Sequence, residues 1–95
     1  MKRISVFGAG LSTVLDRFPD RTDNIAQLGK EDKTFQTLCN DYRKCKVALR
    51  HWIKSEEDGA DVRRKEYEVL QGELEAEILM YLDAFEKRRR PSDRD

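Results

Sequence analysis

From Leu28 onward the chain sets an apolar or aromatic side chain at every seventh position, Leu28, Phe35, Tyr42 and Leu49, with Leu38, Cys45 and Trp52 three places after the last three. At 3.6 residues per turn these side chains share one face of an α-helix, like a coiled-coil seam. A strand sends successive side chains to opposite faces, so the same spacing would scatter the apolar groups in a sheet. Ile53 widens the stripe. Ser55-Glu56-Glu57-Asp58-Gly59-Ala60-Asp61 then breaks the pattern. Gly59 suits the left-handed backbone that ends helices, and Asp61 suits the cap of the next one. Beyond it Tyr67, Leu70, Leu74, Ile78, Tyr81 and Phe85 step by three or four, flanked by Val62, Leu79 and Leu82, out to about Lys87. So short a link forces the two helices to run antiparallel.

The predicted fold is all-α: a coiled-coil-like antiparallel two-helix hairpin over 21–87. An N-terminal segment, 1–20, precedes it, and a basic, frayed tail, 88–95, follows. Leu11, Val14, Leu15 and Phe18 have helical spacing, so the N-terminal segment carries a short amphipathic helix that Pro19 stops and that can dock on the hairpin. Thr22 or Asp23 can cap the hairpin's first helix. Gly29 and Lys30-Glu31-Asp32-Lys33 interrupt its early turns, with Asp32 as a second cap.

Charged residues make up 40% of the chain against 38% hydrophobic, a balance that suits solvated helices with a narrow apolar stripe. Nineteen basic residues cancel nineteen acidic ones, so no overall field draws the chain to nucleic acid or anionic lipid. The balance is uneven along the chain: Asp41 to Lys54 is mostly basic and Glu66 to Glu86 wholly acidic. Folding about residue 58 sets Arg43 near Glu73 and Arg50 near Glu66, exposed pairs worth about 0.5 kcal/mol each that select the register.

Sites of chemistry are sparse. Ile4-Ser-Val-Phe-Gly-Ala-Gly10 imitates the strand and phosphate loop of a dinucleotide fold, but Thr13 stands where the third glycine belongs and no second strand follows. A flexible start leading into the short helix is expected instead. Cys39, Cys45 and His51 are spaced by six, which splays them around a helix rather than converging them on a metal. Glu73, Glu75 and Glu77 alternate and read as a solvated face. Asp58-Gly59-Ala60-Asp61 lacks the calcium-loop spacing and reads as a turn. Lys87-Arg-Arg-Arg90 suits the negative end of a helix.

Phe18-Pro19-Asp20, then Asp23, Ile25 and Leu28, then Asp32, Phe35, Leu38 and Tyr42, the acidic glycine turn, and Leu70 with Glu77-Ile78 resemble the small bacterial YdcH-like proteins over roughly residues 18 to 82. The chain departs from that pattern in its acidic second helix with Gly72, and residues 1 to 17 lie outside it. The resemblance implies a short cytoplasmic helical protein of a family without an assigned activity, and no functional residue is carried over by it.

Two helices alone cannot hide this much aromatic surface, so the expected function is a non-catalytic interaction module that self-associates into a four-helix bundle. The expected interface is Leu28, Phe35, Leu38, Tyr42, Cys45, Leu49, Trp52, Leu70, Leu74, Ile78, Tyr81 and Phe85, in a homodimer or higher homo-oligomer, with another protein as a possible partner. No catalytic, cofactor or metal residue is expected, and no enzyme activity. The alternative is a nucleic-acid-associated helper using Arg43, Lys44, Lys46, Arg50 and the Lys87 to Arg90 cluster, against which the acidic second helix weighs. No apolar run approaches the ~18 residues that mark a membrane span, and a cytosolic protein with reduced thiols is expected.

Overall fold

Proline at position 19 and aspartate at position 32 cut the first half of the chain into three helices. The computed structural model describes residues 8–89, with α1 at Gly8–Arg17, α2 at Thr22–Glu31, α3 at Lys33–Lys54 and α4 at Ala60–Arg89. A 3-10 turn, Pro19–Arg21, joins α1 to α2, and no strand occurs among the described residues. The all-α expectation holds. Four helices pack against one another, because α2 and α3 are separate helices rather than one rod.

Asp32 makes that separation. Its backbone is extended and its N–H closes α2 on the Leu28 carbonyl, while its carboxylate accepts the Phe35 N–H at 3.0 Å and caps α3, as expected. Leu28 therefore enters the core from α2, not from the seam of α3. Two other expected caps are corrected. The Thr22 hydroxyl donates to the Pro19 carbonyl at 2.9 Å, so α2 starts without a side-chain cap. Asp61 lies inside the first turn of α4, because Gly59, at φ +85°, reverses the chain and the Ala60 N–H is already bonded to the Glu57 carbonyl.

Gly8-Ala9-Gly10 is the opening turn of α1, not a flexible start. Ile4 to Phe7 and residues 90–95 lie outside the described residues, while Arg88 and Arg89, read as the start of a frayed tail, belong to the last turn of α4. A Cβ on Gly10 would sit 2.8 Å from the backbone N and 2.9 Å from the Cα of Asn40, so α1 crosses α3 at a distance only glycine permits. That crossing lets Val14 bury completely, with Leu11, Leu15 and Phe18 packed beside it.

Val14, Ile25, Leu28, Phe35, Cys39, Tyr42, Ile78 and Leu82 are fully buried, so all four helices contribute to one core. Each large side chain among them contributes about 1.5–3 kcal/mol of transfer free energy. Along α3 and α4, Phe35 meets Tyr81, Tyr42 meets Glu75, and Cys45 meets Tyr67, so residue numbers rise on one helix as they fall on the other. The expected Arg43–Glu73 and Arg50–Glu66 pairs do not form. Arg43 and Arg50 turn toward the side of α3 that carries α1, and the acids of α4 are met from elsewhere: Arg17 on Glu75, and Arg21 on Asp83 and Glu86.

Helix α4, at 30 residues, is about 45 Å long. Helices α1 and α2 cover only part of it. The radius of gyration, 15.9 Å, exceeds the ~12 Å of a compact domain of this length. Toward the Gly59 end, Val47, Ile53, Val62, Val69 and Leu70 remain exposed.

Candidate functional site

Three features stand out from the packed core: a polar junction, an apolar groove and a basic cleft. The junction centres on Glu75. Its Oε2 accepts the Tyr42 hydroxyl at 2.6 Å and Arg17 Nε at 3.1 Å, its Oε1 accepts Arg17 Nη2 at 3.2 Å, and Gln71 approaches at 3.4 Å. Three helices thus meet on one carboxylate. Partial burial opposes its ionisation, but the hydrogen bonds from Tyr42 and Arg17 and the Arg17 charge outweigh that and hold the carboxyl below its usual range. Burial, then the bond to Glu75 and its charge, push the Tyr42 phenol well up. A fixed anion beside a phenol kept neutral fastens helices together; neither group titrates near neutral pH.

The junction corrects the reading of Glu73, Glu75 and Glu77 as one solvated face. Glu73 and Glu77 are exposed, whereas the Glu75 side chain keeps 18% of its surface. Gln71, Glu75, Ile78 and Leu82 step by four, three and four, a row at the border of the core stripe that was available in the sequence. Tyr42, an aromatic on an apolar seam with a hydroxyl needing a partner, was the other signal.

Seven of the twelve expected interface residues, Leu28, Phe35, Leu38, Tyr42, Cys45, Ile78 and Phe85, are buried inside a single copy. Helices α1 and α2 help to supply the cover that a second chain was expected to provide. Leu49, Trp52, Leu74 and Tyr81 are half-buried, and Leu70 is 39% exposed. Leu70 and Leu74 line a mostly apolar groove of about 460 Å³ between α3 and α4, with Cys45, Ala48 and Tyr67 as its other apolar walls and Asp41 and Lys44 on its rim. Trp52 extends the α3 wall one turn beyond Ala48.

The basic residues divide. Arg43, Lys46 and Arg50 line a cleft of about 360 Å³ between α3 and α1, while Lys44 faces the groove. Lys87 to Arg89 stand at the far end of α4, where the Arg88 and Arg89 guanidiniums lie over Phe85 and Arg89 donates to Asn24. About 21 to 24 Å of helix axis separates them from the level of Glu73.

Cys39 and Cys45 are buried free thiols, His51 is exposed against the edge of Trp52, and no three His, Cys, Asp or Glu side chains among the described residues gather as metal ligands. Burial pushes the Cys39 thiol up to about 12 and raises that of Cys45. No helix among the described residues is long and apolar enough to cross a membrane. Compared with protein-family models, curated proteins and solved structures, the chain matches none of them.

Proposed function

We propose that the chain is a non-catalytic helical interaction module, in which two α3–α4 hairpins pair through the open groove edge to form a four-helix core. The observation that carries this reading is the apolar groove of Cys45, Ala48, Tyr67, Leu70 and Leu74, which is lined by α3 and α4 alone and keeps Leu70 exposed. Contiguous apolar surface of this kind marks an association site more than scattered single residues do. Charge favours a second copy as the occupant. Lys44 on the α3 rim of the groove, and Glu73 and Glu77 on α4, make no ion pair among the described residues. A two-fold axis that lays α3 of one copy along α4 of the other brings these opposite signs together. The resemblance to the YdcH-like proteins describes the same kind of object, a short helical protein, and belongs to this proposal, as does a cytosolic setting.

Sedimentation equilibrium tests it with Leu70→Asp, a substitution at an exposed position that leaves the core intact. The wild-type chain is expected to sediment with the mass of two chains at about 100 µM, and the variant as a folded monomer, because an aspartate in a dry interface has no partner. A wild-type monomer at about 1 mM, or a variant that pairs as well as the wild type, overturns the proposal.

A further inference from the structure

We infer that the cleft between α1 and α3, on the other flank of α3 from the groove, binds a small oligophosphate of two or three linked phosphate groups. Arg43, Lys46 and Arg50 stand at i, i+3 and i+7 on α3, one row spanning about 10 Å of helix axis. None of the three makes an ion pair among the described residues, in a chain with nineteen acidic side chains. The opposite wall carries Arg17, whose charge Glu75 already neutralises, and Asp16, the one acid of the lining. Three cations without an ion pair, Lys46 among them lying over the Tyr42 ring, stand against one carboxylate and leave the cleft with an excess of two positive charges. An anion carrying several negative charges is therefore favoured over a monoanion.

Size and lining narrow the ligand further. At about 360 Å³ the cleft lies at the small end of ligand sites, and Val47 is its single apolar wall residue, so it offers no apolar pocket to an acyl chain. Guanidiniums at the two ends of the row can each grip phosphate oxygens with paired N–H groups, and Lys46 between them supplies a point charge. One phosphate cannot span all three cations, whereas a chain of two or three can. A polynucleotide needs the cationic track to continue. Among the described residues the track does not continue: Arg63 and Arg64 are paired with Glu66, Asp61 and Glu68, and Lys87 to Arg89 sit at the far end of α4, beyond a stretch from Glu66 to Glu86 that holds no basic residue.

Isothermal titration of the full chain with sodium tripolyphosphate, at about 50 mM and about 200 mM salt, tests the site. One ligand per chain is expected, bound more weakly at the higher salt. Arg43→Gln with Arg50→Gln should weaken it by about tenfold or more, since each removes a charge-assisted contact, and Lys87→Gln should leave it unchanged. Both arginines are exposed, so circular dichroism of the double variant should match the wild type; Arg50→Gln alone, with a smaller loss, is the second variant. Inorganic phosphate should bind more weakly than tripolyphosphate. No heat from about 1 mM tripolyphosphate at low salt overturns the proposal. So does equal affinity in the double variant, or binding of a single-stranded RNA ten-mer without binding of tripolyphosphate, which assigns the row to nucleic acid instead.

Discussion

A carboxylate that several helices share holds them only while it is ionised, and this makes Glu75 the residue whose titration the fold should feel. Its folded value lies below the ordinary 4.5, so the stability it contributes is fully present above about 4.5 and is lost as pH falls through the folded value. Glu75→Gln cannot ionise, and the other carboxylates titrate alike in both proteins. The gap in urea midpoint between wild type and Glu75→Gln should therefore stay constant from pH 7 to about 5 and close below that. A gap undiminished at pH 3 would show that the ionised pair contributes nothing. At this scale the sequence was half legible. Tyr42 stood out on the seam, but its partner did not, because alternate glutamates look equivalent until it is known which of them borders the core. Arg17 was invisible for a related reason: nothing local says that the end of α1 reaches α4.

Helix ends were legible where a single residue decides the backbone. Pro19 cannot donate to the turn before it, Gly59 takes a φ of +85°, and Asp32 caps α3 with its carboxylate. Thr22 and Asp61 misled because a residue able to cap does so only if the helix begins just after it, and here neighbouring turns set the start. Gly10 was misjudged most. Its place in a glycine pair suggested a phosphate loop or a loose start, while its task is to let α1 lie against the Asn40 backbone. Gly72, in the middle of α4, has nothing within 4 Å of where a Cβ would go. Two identical substitutions should thus have opposite signs. Gly10→Ala should destabilise by about 1–3 kcal/mol, since α1 must retreat from α3, and Gly72→Ala should stabilise by roughly 0.5–1 kcal/mol through helix propensity alone. Chemical denaturation of the two variants checks this, and a Gly10→Ala protein as stable as wild type would refute the tight crossing.

For the whole molecule, the seven-residue spacing up to Trp52 and the steps of three and four beyond Tyr67 were enough to give an all-helical chain and its two longest helices. Neither could say which apolar stripes would cover one another, because the stripes of amphipathic helices are chemically interchangeable. That is why Leu28 and Phe35, read as one seam, reach the core from separate helices, and why α1 and α2 take up surface that had been assigned to a second copy. The result is uneven cover along a long pair of helices. Amides of Trp52 to Lys54 and Val62 to Glu66 should exchange with solvent at least about tenfold faster than those of Leu38 to Tyr42 and Ile78 to Leu82, and uniform protection in dilute protein would contradict the partial cover. The seat of Cys39 has a further use. With none of its surface exposed and its thiol pushed up to about 12, it is shut off from any alkylating reagent while the helices stay together. The chain therefore carries its own clock: the rate at which Cys39 acquires a label counts the moments when the interior comes apart.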